Sequence, residues 1–178
     1  MEDLWFIKNK DLRAKIIDAI RYTFLILEKV KDESTSDMFK EETYRVVILY
    51  LMSCVEASLL YFYGNKKKIK RSEYKFITRL PSDFANKHRP NDKIIIASET
   101  ETEIPDYQLG LHELTNHFCE QWWISKRTCS KILALNDMRN THHLSKTRTK
   151  KCTLKDVDKA YDTLKHILTT KKIPRRAK

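Results

Sequence analysis

A chain of 178 residues that is 41% hydrophobic can bury a sizeable core and fits one globular domain rather than two domains or a disordered chain. Its two glycines, Gly64 and Gly110, belong to no Gly-rich phosphate loop, which excludes nucleotide-cofactor enzymes of the P-loop and dinucleotide-binding classes. The formal charge of +11 is polarised: residues 145–178 carry twelve basic and three acidic side chains, residues 64–93 carry ten and three, and the remainder is net acidic. Such a field suits a polyanionic partner such as nucleic acid, and equally a solubilising surface with a basic tail.

The amino terminus, MEDLWFIKNKDL, has mixed charge and no sustained apolar region, so no secretory leader is expected. From Asp11 to Lys31, apolar residues at Leu12, Ile16, Ile20, Phe24, Leu27 and Val30 keep a helical period and predict a first core helix. DESTSD then breaks the pattern and supplies Ser or Asp caps for the next element. Thr43 to Tyr63 is the most hydrophobic stretch, long enough for a membrane span and followed by the basic cluster KKKIKR. Glu56, near its centre beside Ser53, Cys54 and Ser58, would cost a few kcal/mol in lipid, so the expectation is the central helix of a bundle, apolar nearly all round, and no membrane.

Between Ile69 and Glu103 the period changes. Tyr74–Leu80 and Lys93–Ser98 are rich in β-branched and aromatic residues and predict a β-hairpin inserted at about residues 69–103, with a basic first half. The acidic run Glu99, Glu101, Glu103 and Asp106 is expected to close it, facing solvent or the basic region. The helical period returns through Leu111, Leu114, Phe118 and Trp122. Ser125 can cap a further helix with Cys129, Ile132, Leu135 and Met138 on its core side. Lys146 to Lys151 form a basic loop. Thr153 and Asp156 resemble a capping box for a final helix through Val157, Ala160, Tyr161, Leu164 and Leu168, which ends before Pro174. The expected fold is therefore all-α, a bundle of about five helices with an inserted β-hairpin, forming a single domain over residues 1–171 with a basic tail at 172–178.

The segment Leu135 to Leu144, LNDMRNTHHL, carries the most chemistry. Arg139 with His142 or His143 stands three or four positions apart, so a guanidinium and an imidazole can share one helix face and converge on a small anion such as a phosphate. The bland reading is structural: an Arg near a helix end often pairs with a carboxylate, here Glu56, and a His at a helix C-terminus is favoured by the dipole.

A long apolar helix with the mid-helix sequence Cys54-Val55-Glu56-Ala57, the later LNDMRNTHHL, a short basic loop and a final capped helix together resemble the HEPN superfamily over roughly Phe39 to Lys171, apart from the hairpin. The resemblance implies a helical bundle, commonly a homodimer, and a metal-independent endoribonuclease of the toxin–antitoxin or antiphage-defence type. It assigns Arg139 the Arg role, Asn140 the polar position after it, and His143 the His role. Three residues separate Arg139 from His143, fewer than is usual in the family. The alternative it leaves open is a non-catalytic module that binds RNA, a nucleotide or a protein partner such as a cognate antitoxin.

In such chemistry His143 would act as base or acid, and Arg139 would hold two phosphate oxygens in its planar fork. Asn140 would orient the histidine or the phosphate, and His142 or a second subunit would supply the other proton-transfer group. Lys146, Arg148, Lys150 and Lys151 would track the RNA backbone.

Metal is the competing chemistry. HELTNH resembles the HExxH motif, but His112 and His117 stand five apart, roughly 140° around an ideal helix, so that motif fails. A site assembled from His112, Cys119, Cys129, His142 and Cys152 stays open, although no pair has finger-like spacing. The expectation is no metal and no cofactor. The four cysteines, Cys54, Cys119, Cys129 and Cys152, form no CxxC pair and fit a reduced, cytoplasmic protein. Trp122 and Trp123 could stack bases, with one of the two expected in the core; Tyr61 and Tyr63 are read as packing residues.

Overall fold

The computed structural model describes residues 4, 7–32, 34–64, 69–79, 95–140, 151–170 and 173. Among them are five helices and one two-stranded hairpin: α1 (Lys10–Glu28), α2 (Asp37–Tyr63), β1 (Lys70–Arg79), β2 (Ile95–Glu103), α3 (Leu111–Glu120), α4 (Lys126–Asn140) and α5 (Leu154–Thr169). A single 3-10 turn, Asp106–Gln108, follows β2. The mostly helical bundle with a hairpin between its second and third helices agrees with the architecture expected from the sequence. The chain divides into two compact units, one of Met1–Gly64 with Leu109–Lys178 and one of Asn65–Gln108.

The helical unit is organised by α2, which packs against each of the other four helices. Ser36 caps its start, its hydroxyl accepting the Phe39 amide at 3.3 Å. Gly64 ends it with a φ of 53°, a left-handed conformation that glycine adopts without Cβ strain. Val47, Ile48, Leu51, Met52, Val55 and Leu59 are fully buried, and from Thr43 to Tyr63 only Tyr50 and Leu60 are exposed. By length and composition α2 could cross a membrane, and 56% of its apolar window is buried inside the bundle, as a core helix requires. Near its start Arg45 is buried, its guanidinium donating to Glu41 at 2.6 Å with Glu42 at 3.9 Å. The Arg45 hydrogen bond holds the Glu41 carboxyl below its ordinary pKa, and the Cys152 amide also donates to Glu41, tying the approach to α5 onto α2.

In α1, capped by Asn9 Oδ1 on the Leu12 amide, the buried stripe is Ile16, Ile20 and Thr23. Phe24, expected in the core, is 47% exposed and stacks on the Tyr161 ring at 5.3 Å. The reason is helical phase: on an ideal helix residue 23 falls roughly 20° from Ile16, whereas residue 24 falls roughly 80° away, at the rim. The buried Thr23 hydroxyl is satisfied by the Ile20 carbonyl at 2.6 Å and by the Tyr161 hydroxyl.

The hairpin pairs Lys70 with Glu103 through to Arg79 with Ile95, with an irregularity between Phe76 and Thr78. Its strands run longer than expected, and Glu99, Glu101 and Glu103 lie within β2 instead of closing the element. Cross-strand charge accounts for this, because the basic β1 faces an acidic β2: Lys70 reaches Glu101 at 2.9 Å, and the Tyr74 hydroxyl donates to Glu99 at 2.9 Å.

In α3, Leu111, Leu114 and Phe118 are buried as the periodicity predicts, but Trp122 is 76% exposed. The helix ends at Glu120, and a left-handed Trp122 (φ 58°) turns the chain so that Trp123 packs on Phe118 at 5.1 Å. Trp123 is therefore the core member of the pair. Ser125 starts α4 by accepting the Thr128 amide at 3.1 Å, and Cys129, Ile132, Leu135 and Asn136 form its buried face, with Met138 half-buried. At α5, Asp156 accepts the Thr153 amide at 3.2 Å and the Thr153 hydroxyl at 2.7 Å, and Lys159 lies 2.8 Å from its other oxygen. Val157, Ala160, Leu164 and Leu168 are buried, with Tyr161 partly so.

Burial acts to raise the Asp156 pKa, but the hydrogen bonds from Lys159 and Thr153 outweigh it and hold the carboxyl below its ordinary 3.8. Its folded pKa being depressed, Asp156 stabilises the fold above the unfolded value and loses that contribution as pH falls through the folded one. Asp156→Ala is expected to cost about 1–2 kcal/mol in urea unfolding at neutral pH. Asp156→Asn should show a shallower loss of stability in acid than the wild type; identical acid limbs would contradict the assignment.

Candidate functional site

The last turns of α4 carry Asn136, Arg139 and Asn140, spaced i, i+3 and i+4 and so on one face. Opposite them, α2 presents Glu56, and Arg139 Nη1 meets Glu56 Oε2 at 2.9 Å. Both side chains keep about a quarter of their surface in solvent, at 24% and 25%, so the pair sits at the rim of the bundle and not inside it. The pair lines a cleft of about 400 Å³ together with Leu49 of α2, Asn136 and Asn140 of α4, and Gly110, Leu111, His112 and Glu113 at the start of α3.

Two helix termini meet in this cleft. Arg139 occupies the last turn of α4, where the carbonyl end of the helix dipole favours a cation. The N-terminus of α3 opens into it, and its N-cap residue is a glycine with no side chain to cap the first amides. Gly110 stands at that N-cap, where a Cβ would lie 3.1 Å from Glu113 Oε2, so the glycine leaves the Glu113 carboxylate room to sit over the start of its own helix. The cleft thus combines a guanidinium and a helix N-terminus, both suited to an anion, with two carboxylates that compete for them.

His112 is the residue that the sequence reading did not assign to this constellation. It is exposed on the cleft, and Asn116 Nδ2 stands 3.3 Å from its Nδ1. With the amide as donor, Nδ1 accepts and the neutral ring carries its proton on Nε2. His117, five positions on, is buried with its ring between those of Tyr63 at 5.4 Å and Trp123 at 5.7 Å. The two histidines of HELTNH therefore point to different environments, one to the cleft and one to the core. That divergence is the physical form of the failed metal spacing, and the signal for His112 lay at the start of the helix: a glycine N-cap, Gly110, followed by a histidine in the first turn.

Of the other residues singled out in the sequence, Lys151 is exposed just before α5. His142, His143, Lys146, Arg148 and Lys150 lie outside the described residues. Among the described residues no group of three or more His, Cys, Asp or Glu converges to hold a metal ion. All four cysteines are free thiols. Burial pushes the Cys54 thiol up to about 11, and burial with the neighbouring Cys119 pushes Cys129 up to about 12, so both stay protonated and poorly nucleophilic at neutral pH.

No family model, no curated protein and no solved structure matches the chain.

A partly exposed ion pair between two helices has a measurable coupling. In a double-mutant cycle of Glu56→Gln and Arg139→Gln followed by urea unfolding, a coupling of about 1 kcal/mol is expected, since solvent screens the rim. A value indistinguishable from zero would show that the pair does not hold α2 and α4 together.

Proposed function

We propose that the protein is a metal-independent endoribonuclease of the HEPN type, working as a homodimer in the cytoplasm, with Arg139 and His143 as its essential pair. The observation that carries this reading is the placement of Arg139 and Asn140 side by side in an open cleft, with an exposed histidine, His112, on the facing wall. In this scheme a neutral imidazole takes the proton of a ribose 2′-hydroxyl, and the 2′-oxygen attacks the adjacent phosphorus. The bond from phosphorus to the 5′-oxygen breaks as a protonated imidazole donates to the leaving oxygen. The products are a 2′,3′-cyclic phosphate and a free 5′-hydroxyl.

Arg139 stabilises the dianionic phosphorane-like transition state through its fixed fork of donors, and Asn140 orients the phosphate beside it. His143, His142 and His112 are the three imidazoles that sequence position or the cleft brings into consideration, and two suffice. Glu56 holds Arg139 in place before RNA binds; a phosphate must compete with that carboxylate for the same guanidinium. Lys146, Arg148, Lys150 and Lys151 would guide the backbone into the cleft. Toxin–antitoxin or antiphage roles fit an enzyme that cuts RNA without a cofactor, and a cognate antitoxin would be its natural protein partner.

The ion pair itself favours a second reading, in which the cleft binds RNA but does not cut it, because Glu56 already satisfies the Arg139 charge. Cleavage of total RNA by purified protein in EDTA separates the two. The wild type is expected to release fragments with cyclic-phosphate ends, and folded Arg139→Ala and His143→Ala variants to lose at least about 100-fold in rate. The rate should follow a bell-shaped pH profile, falling where the imidazoles are all protonated or all neutral. Equal cleavage by the variants, or no cleavage by a folded dimeric wild type, would overturn the nuclease reading.

A further inference from the structure

A second concave surface lies between α4 and α5, a groove of about 500 Å³ away from the Arg139 cleft. Arg127 and Lys131 stand on its α4 wall, one turn apart, and Lys165 and His166 on its α5 wall, against a single carboxylate, Asp162. All four basic side chains are exposed. Elsewhere in the bundle Arg21, Lys31, Arg45, Arg139 and Lys159 each reach a carboxylate within 4.0 Å. Among the described residues Arg127, Lys131 and Lys165 make no such pair, and none of their side chains has a hydrogen bond. Lining both sides of a groove with unneutralised cations raises the local potential above that of scattered surface lysines, because the low-dielectric walls focus the field.

We infer that this groove binds the phosphodiester backbone of single-stranded RNA, as a subsite separate from the Arg139 cleft. The choice of RNA as the polyanion rests on the proposed nuclease reading; the charge of the groove does not. Its position relative to the cleft supports a continuous path. Arg127 and Arg139 are twelve residues apart on one helix, about 18 Å of rise. At roughly 3.4 Å per phosphate for a stacked strand, that distance accommodates about five phosphates. On an ideal helix Lys131 is turned roughly 80° and Arg127 roughly 120° from Arg139, so a strand engaging both sites turns around α4 rather than running straight along it.

The test uses a fluorescein-labelled 12-nucleotide 2′-O-methyl RNA, which lacks the attacking hydroxyl and so reports binding without cleavage, read by anisotropy over a range of salt. The variant Arg127→Gln/Lys131→Gln/Lys165→Gln is compared with Lys10→Gln/Lys15→Gln/Lys29→Gln, which removes the same charge from exposed positions on and just after α1, with thermal unfolding to show that both are folded. The groove variant is expected to bind at least tenfold more weakly at about 0.1 M salt, with the slope of log K against log salt reduced by about 2, three contacts at about 0.7 each for single strands. The α1 variant should keep the wild-type slope. Groove-dependent binding by a protein that never cleaves RNA would uphold the groove and overturn the nuclease. Equal losses in the two triple variants, or no RNA binding by the wild type, would overturn the groove, whatever the cleavage assay shows.

Discussion

The structure depends on a single constraint, the burial of α2. A helix that touches four neighbours has little room for polar side chains, so each one it carries marks a place where the bundle is closed by charge or left open. Arg45 marks closure. Its guanidinium is removed from solvent and held by Glu41 and Glu42 on the same helix, and Glu41 in turn receives the backbone of Cys152. Glu56 marks an opening. Among the described residues it lies between the end of α4 and the beginning of α3, and Arg139 meets it there with part of both side chains in water. One ion pair anchors the chain leading to α5, and the other stands at the mouth of a cleft.

The cleft owes its chemistry to helix ends. A carboxy-terminal turn holding an arginine and an amino-terminal turn that starts at a glycine face a shared space, where the guanidinium and the helix N-terminus both favour an anion. Glu56 and Glu113 occupy that space in the free protein. An arginine already engaged by a carboxylate keeps its geometry before a ligand arrives, and exchanging that carboxylate for a phosphate replaces one charge-assisted bond with up to two in the bidentate form. The same ion pair that looks structural can thus preorganise Arg139 for an anion, at the expense of some affinity. The groove between α4 and α5 differs in kind: among the described residues its Arg127, Lys131 and Lys165 reach no carboxylate within 4.0 Å, so it suits loose tracking of a polyanion rather than fixed geometry.

Much of this was legible in the sequence. Helix starts are marked by capping side chains, Ser36, Ser125 and the Thr153/Asp156 pair, and core faces by apolar spacing. What escaped was decided by phase and by contacts between distant elements. A four-residue step from Ile20 points to Phe24 as core, yet it carries Phe24 to the rim, and the three-residue step to Thr23 is the one that faces inward. Trp122 extended an apolar period beyond the point where α3 stops. The acidic run is expected to close the hairpin because carboxylates are poor strand formers alone; opposite a basic strand Glu99, Glu101 and Glu103 extend β2 instead. His112 could not be placed because nothing local tells that the start of α3 meets the end of α4. The Glu56–Arg139 partnership, named from sequence as the structural alternative, is present, and it joins the cleft instead of excluding it.

The proposed exchange of Glu56 for an RNA phosphate at Arg139 is reported directly by the Arg139 Nε–H resonance in a 15N NMR spectrum, assigned by its loss in Arg139→Lys. On titration with the non-cleavable 2′-O-methyl RNA, this resonance is expected to shift to saturation in the wild type, and to do so at lower RNA concentration in Glu56→Gln, where the competing charge is gone. An Arg139 resonance that stays in place in both proteins while RNA binds would show that the ion pair is structural and that the cleft is not where RNA is held.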